Sequence, residues 1–475
     1  MLSYKCSDGS GCLRTKMREL CIYKKNDIIE NSGKQNKNFN YDSERLILII
    51  KSITNGTETK NIIGLIKGLE ELVNYLDKKC ELLSKELLCI DLWNALFKFL
   101  VLNVEDNVIG KVKNLIMKCA AKLTFLTSDF IKILFHLKFF ENIFCNNIRT
   151  CLSIDMKYYL CCLYNALCDE PDFINKIELM INLEDFLDLF CNEKLKLKKD
   201  FDDKTIEMIS AILIQYTNIK YNEENIIKIM LFFKNLLKSK QYFKFKISIN
   251  GLFSLFKAKV VNSNLFYIFD DFPDFLTESI SYDDEIIILW SLYIISYLNH
   301  FFYKGLNFDF TCICCLCIDH INDRIGYSAY ETLKSVLENS NETFIEMLLY
   351  DFDFLNNILI KGLLIGSFSI IKCSFSCLKN VLICCNSDTI MKIASIEIND
   401  IIEKICEIDD LNIITQFLEC INILLSKAYT FHCIDIFISM FSETNLLNII
   451  QENINSDDFE ISFNSNQIMD LLSKV

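Results

Sequence analysis

The sequence predicts an all-α chain, a right-handed superhelical α-solenoid of about nine repeats. Three observations carry this. Only 2 Pro and 12 Gly occur among 475 residues, too few turn residues for a sheet-rich fold. From about Tyr41 onward, apolar residues recur at three- and four-residue steps within stretches such as 87–102, 224–238 and 283–298, which is the period of a helix. A small residue followed by an apolar one then returns along the chain at intervals of 40 to 51 residues, about 44 on average.

In chain order, residues 1–40 carry Ser, Gly, Asn and Lys clusters, with eight basic against four acidic side chains. They read as a flexible basic tail with a short helix near Lys16 to Tyr23. Residues 41–450 read as the repeat array. Polar breaks such as Leu126-Thr127-Ser128-Asp129, Asp202-Asp203 and Ser281-Tyr282-Asp283-Asp284 separate its helices, because Asp, Ser and Thr accept bonds from the open N–H groups of a helix start. Residues 451–475 read as an acidic polar tail with a short helix around Gln467–Leu472.

The repeated pair runs Gly68-Leu69, Cys119-Ala120, Cys162-Leu163, Ala211-Ile212, Gly251-Leu252, Ser291-Leu292, Thr332-Leu333, Cys377-Leu378 and Cys420-Ile421. The segment Leu333-Lys334-Ser335-Val336-Leu337 matches Leu378-Lys379-Asn380-Val381-Leu382 almost residue for residue. A second helix follows at a constant offset, at 355–359, 401–405 and 446–450. A helix needs a small residue where a neighbouring backbone crosses close to it. A unit of this length cannot bury its apolar face alone, so it stacks on its neighbours.

Composition narrows the function. The formal charge of −14 argues against a duplex nucleic-acid binder, which would carry a basic surface. The 23 Cys follow no disulfide framework and sit inside apolar runs, so they are expected as buried thiols in a reducing compartment. The start at Met1-Leu2-Ser3-Tyr4 lacks the apolar core of a signal peptide; the cytoplasm is the expected location, with the nucleus as the alternative. The densest thiol run, Cys312-Ile313-Cys314-Cys315-Leu316-Cys317, would fan its side chains around one helix and is expected to hold no metal. The uncharged stretch 286–303 is just long enough to span a bilayer, but it is in phase with the repeat and is expected as an array helix. The four His (136, 300, 320 and 432) form no catalytic or metal-binding spacing, and Gly9-Ser10-Gly11 lacks the Lys-Ser/Thr of a phosphate loop. No enzyme motif stands out, and no cofactor is expected.

One unit carries a family resemblance. Phe272-Pro273-Asp274-Phe275-Leu276, then Ser281–Glu285, then Trp290-Ser291-Leu292-Tyr293-Ile294 resembles the armadillo repeat of importin-alpha, in which a proline opens the second helix, an acidic turn follows and the third helix lines a groove. HEAT repeats share the length range, so the array is armadillo/HEAT-like. The resemblance implies a Trp and an Asn from successive third helices along that groove, holding a basic peptide. Two residues before the apolar member of each pair this chain has one Trp of nine, Trp290, and two residues after it two Asn of nine, Asn165 and Asn380, and none share a unit. The importin-alpha ladder is therefore absent. Any groove uses other chemistry, for which Trp290, Asn250, Glu331, Asn165, Asn380 and Glu419 are the candidates.

The function read from the sequence is a non-enzymatic scaffold that binds a protein or peptide partner along the concave groove. The alternatives are an importin-alpha-like adaptor for basic cargo and a noncatalytic regulatory subunit of an enzyme. No nucleic acid, membrane or metal partner is expected.

Overall fold

The computed structural model describes residues 39–78, 87–101, 107–143, 155–169, 186, 203–217, 223–239, 241–261, 272–302, 310–338, 340, 342–351, 353–394, 399–408, 410–442 and 444–473. The expected flexible tail and its short helix lie outside them, as does Gly9-Ser10-Gly11. The described residues contain helices and no strands, and the chain is an all-α solenoid. It divides after Val261 into two compact units.

The first unit contains α1 (Phe39–Glu58), α2 (Ile62–Lys78), α3 (Ile90–Val101), α4 (Asn107–Leu126), α5 (Ser128–His136), α6 (Phe139–Ile143), α7 (Asp155–Asp169), α8 (Asp203–Thr217), α9 (Glu223–Leu237) and α10 (Tyr242–Lys257). The second contains α11 (Phe272–Ile280), α12 (Glu285–Phe302), α13 (Phe310–Asp319), α14 (Arg324–Glu338), α15 (Glu342–Asp351), a π-helix (Leu355–Ile360), α16 (Lys361–Ile365), α17 (Phe368–Cys384), α18 (Ser387–Ala394), α19 (Asn399–Cys406), α20 (Leu411–Thr430), α21 (Ile434–Ser442), α22 (Leu446–Asn453) and α23 (Phe459–Leu472).

The helices that carry the repeated pairs form a spine within each unit. In the first, α2, α4, α7, α8 and α10 pack each on the next; in the second, α12, α14, α17, α20 and α23 do the same. The small residues sit where a neighbouring helix crosses the rung, α1 at Gly68 and α9 at Gly251. A Cβ on Gly68 would stand 2.9 Å from the Ile53 Cγ1 atom, and one on Gly251 would run into the Phe233 ring. At Cys119, Thr332, Cys377 and Cys420 the side chain reaches a backbone carbonyl of the preceding rung. Cys119 Sγ lies 3.9 Å from Leu69 O, Cys377 Sγ 3.9 Å from Tyr330 O, and Cys420 Sγ 3.6 Å from Phe375 O. Thr332 Oγ1 lies 3.1 Å from Leu292 O and 2.8 Å from Ser328 O. A helical carbonyl keeps a second lone pair after its intrahelical bond, so a small donor can pack tightly and still be satisfied. The apolar partners Leu69, Leu163, Ile212, Leu252, Leu292 and Leu333 are fully buried, each worth roughly 1.5–3 kcal/mol relative to exposure.

The repeat read from the sequence ends at Cys420-Ile421, whereas the structure carries a further rung. Helix α23 is longer than the short helix expected around Gln467–Leu472, packs on α20, and buries Ser465 in its middle. The polar character of this segment hid a helix whose buried stripe is only Ile461, Asn464, Ser465 and Ile468.

Helix starts follow the expected caps. Thr127 Oγ1 accepts from Asp129 N at 3.2 Å, and Asp284 Oδ1 accepts from Ile286 N and Ile287 N at 3.0 and 3.2 Å. Pro273 occupies the second position of α11, where a missing N–H costs nothing. In α13, Cys314 and Cys317 are buried, Cys312 is half-buried and Cys315 is exposed, the fan expected of that run. Among the described residues no group of His, Cys, Asp or Glu is placed to hold a metal, and no helix is long and apolar enough to cross a membrane.

Candidate functional site

Two pairs of rungs in the second unit run parallel, and the contacts between them show it. From α17 to α20, Lys372 pairs with Asp410 (3.5 Å), Lys379 with Glu419 (2.7 Å), and the Lys427 ammonium donates to Ile383 O (2.8 Å). Residue numbers rise together on both helices, so both point the same way. The same holds from α12 to α14, where Thr332 reaches Leu292 O and Ser335 reaches Ser296 O at 3.0 Å. In each of these two pairs the N-termini therefore lie at the same end.

Each rung turns one stripe away from the core, at steps of three and four residues. On α12 the stripe includes Ile286, Trp290 and Tyr293; on α14, Tyr327, Glu331 and Lys334; on α17, Phe368, Lys372 and Asn380; on α20, Leu411, Thr415, Glu419 and Asn422. Together these stripes form a ladder face. Its middle is polar and partly closed by bonds between rungs. Its rim is apolar.

The structure places the sequence-derived candidates as follows. Trp290, Glu331, Asn380 and Glu419 lie on the rungs of the second unit, all half-buried. Glu331 accepts from Cys373 Sγ on α17 at 3.0 Å. Burial, and then the Glu331 charge, push the Cys373 thiol up, so it stays protonated and donates. Glu419 is engaged by Lys379. The Asn380 side chain has no hydrogen bond among the described residues and sits on the stripe between Lys372 and Ile383. Asn165 and Asn250 belong to the first unit. The Asn165 amide lies 3.1 Å from Thr124 Oγ1 on α4 and 3.8 Å from Cys161 Sγ, while the Asn250 carbonyl accepts from Ser254 Oγ at 2.9 Å. Three of the six candidates therefore bridge neighbouring rungs.

The rim was not read from the sequence. Its residues are Ile286, Tyr327, Phe368, Leu411 and Phe459, which are 39%, 39%, 47%, 58% and 78% exposed. Each stands in the first turn of its rung, 41 to 48 residues after the one before. The signal was present, since an Asp cap directly precedes Leu411 and Phe459 and stands two residues before Ile286. An apolar residue beside a cap reads as the start of a buried stripe, and one sequence cannot say which side of the first turn faces the core. The outer polar link of the ladder is also new: Asn422 Nδ2 lies 3.1 Å from Asn464 Oδ1 and 2.9 Å from Gln467 Oε1 on α23.

This arrangement offers broad contact. The one thiol that meets a carboxylate among the described residues of the ladder face, Cys373 beside Glu331, is held protonated, and so are the buried thiols, with Cys119 pushed up to about 12.

No family model matches the chain, and no curated protein matches it. Solved structures do. An engineered protein determined by a structural genomics consortium is similar with a TM-score of 0.60 at 13% identity, over 90% of this chain and 98% of that one. A chain from work on a phosphorylation switch controlling the interaction between cadherin and beta-catenin gives a TM-score of 0.45 at 10% identity, over 94% of this chain and 98% of that one. The likeness to the engineered protein is one of fold: the helical array is shared although few residues are.

Proposed function

We propose that this chain is a non-enzymatic scaffold of armadillo type that binds a protein partner along the ladder face of its second unit. The observation that carries the reading is the exposed stripe repeated on adjoining rungs, with large apolar side chains in the first turns and Trp290, Tyr293 and Asn380 farther along the stripes. A solenoid presents such a surface in register because each rung repeats the last. The order of the unit at Phe272–Ile294, with Pro273 opening a helix and Trp290 on the rung, supports the armadillo type over HEAT.

Affinity capture with the full chain and with a Trp290→Ala/Asn380→Ala variant, compared by quantitative mass spectrometry, tests the scaffold. Partners recovered by the parent and depleted for the variant are expected, with circular dichroism melts showing both folded. Recovery of nothing above an unrelated bait, or an unchanged set with the variant, would overturn it.

A further inference from the structure

We infer that the exposed face of α23 docks an Arg- or Lys-bearing segment of a partner protein, whose cation sits on the Phe459–Phe463 pair. The contact concerns this one rung and goes beyond the ladder-face reading above.

The repeat shows that the face is open. On α14 and α17 the residue three before the apolar partner lies against the next rung. There the Tyr330 and Phe375 carbonyls each accept from the thiol of the following rung. Tyr330 and Phe375 are buried, and so is Leu418 in the same place on α20. Phe463 takes that place on α23, three before Asn466, and is 48% exposed. Phe459, one turn earlier, is 78% exposed. The two rings stack with centroids 5.9 Å apart and 22° between their planes. Asn466 and Asp470, both exposed, continue the same stripe.

Charge decides the occupant. Between Lys427 and Lys474 the sequence holds seven carboxylates and no Lys or Arg. Asp457 and Glu460 stand on either side of Phe459 in sequence, and both are exposed. Asp470 follows Phe463 by two turns, about 10.5 Å along the stripe. The helix N-terminus offsets roughly half a charge, which leaves the face acidic. A second copy would bring this acidic patch onto itself, and like charges oppose such a contact. A basic segment meets it instead.

The chain shows the recognition chemistry on another rung. The Lys372 ammonium lies 4.6 Å from the centre of the Phe368 ring and 3.5 Å from the Asp410 carboxylate. Phe368 and Phe459 each open their helix, but four residues later α17 has Lys372 and α23 has Phe463. The α23 face thus offers ring and carboxylates without the cation, which the partner supplies.

The probe is a fluorescein-labelled peptide, Arg-Leu-Gly-Arg-Leu-Gly-Arg-Leu-Gly, titrated with the full chain and followed by anisotropy. Binding is expected at low salt, weakening as salt rises, and is expected to be lost when the Arg are replaced by Glu. Phe459→Ala/Phe463→Ala, altered only at exposed positions and unchanged in charge, should bind about tenfold more weakly. Asp457→Asn/Glu460→Gln should also bind more weakly. Glu44→Gln/Glu58→Gln removes the same charge from exposed positions of α1 and should bind as the parent does. Trp290→Ala/Asn380→Ala should do the same. Melts establish that each variant folds. Absence of binding, equal binding of the Glu peptide, or undiminished binding to Phe459→Ala/Phe463→Ala would overturn the inference. So would an equal loss with the α1 variant or with Trp290→Ala/Asn380→Ala. A parent dimer in sedimentation velocity that Phe459→Ala/Phe463→Ala loses would give the face to a second copy and overturn it too. Peptide binding as expected, together with a failed capture experiment, would remove the ladder-face reading alone.

Discussion

The Lys379 ammonium lies 2.7 Å from the Glu419 carboxylate, across 40 residues of sequence and from one rung to the next. The pair shows what many polar residues of the ladder face do: they tie neighbouring repeats together. Both side chains are partly exposed, so solvent screens them and the coupling is small. A double-mutant cycle with Lys379→Gln and Glu419→Gln should give about 0.2–1 kcal/mol, read by urea unfolding and falling as salt is raised. A coupling that does not change with salt would show that the pair acts through packing.

The π-helix at 355–360 makes a sharper case. The Tyr330 hydroxyl donates at 2.7 Å to Ile358 O, which also takes the Lys361 N–H. Gly362 makes room, because a Cβ there would stand 2.6 Å from that hydroxyl and press on Ser374 Oγ. Gly362→Ala should destabilise by about 1–3 kcal/mol. Ser374 Oγ is buried without a hydrogen-bond partner, so Ser374→Ala alone should cost little, and it should restore part of the loss in Gly362→Ala. Additive losses in the denaturant midpoint of the double variant would argue against this contact.

Thiol reactivity follows exposure. Cys89 and Cys315 are exposed, whereas Cys119, Cys314, Cys317, Cys377 and Cys420 are buried. A brief pulse of a thiol-alkylating reagent at neutral pH, mapped by mass spectrometry, should modify Cys89 and Cys315 and spare the buried five until the protein is unfolded.

The same burial predicts an alkaline limit to stability. Burial raises Cys119 from the ordinary 9.0 to about 12. The folded chain thus holds its proton more tightly than the unfolded chain does. Its contribution is complete below about pH 9 and is lost as pH rises from there through the folded value. Thermal unfolding should show Tm falling above pH 9, and Cys119→Ala, although less stable at neutral pH, should fall less steeply over that window.

At the acid end the Asp323 cap gives the opposite sign. Burial pushes its carboxyl up, but the Gly326 and Ile325 N–H groups and His320 outweigh this and hold it below the ordinary 3.8. Its stabilisation is present above the unfolded value and is lost as pH falls through the lower folded one. Asp323→Ala should cost about 0.5–2 kcal/mol at neutral pH. Asp323→Asn, which keeps an acceptor, should cost less, and the gap between parent and Asp323→Ala should narrow as the pH falls below 4.

The ladder was legible because its causes are local. Helical periodicity marked the rungs, and a small residue was demanded at each crossing whatever its chemistry. Gly, Ser, Thr and Cys could therefore stand in for one another and still reveal the repeat, from Gly68 to Cys420. The rung at Phe459–Leu472 escaped because its small residue, Ser465, is flanked by Asn464 and Asn466 and not by an apolar partner.

The sequence by itself determined the all-α class, the solenoid and the positions of nine rungs. Side-chain period and small size at a crossing are properties of a few adjacent residues. Only the tertiary structure decided which polar residues are used up between rungs and which face outward. Glu331 meets Cys373, Glu419 meets Lys379, and Asn165 meets Thr124, while Ile286, Leu411 and Phe459 stay exposed. Each outcome depends on a neighbour some 40 residues away and on the side of the helix from which the next rung approaches. That distance is set by packing in three dimensions, and no local pattern encodes it.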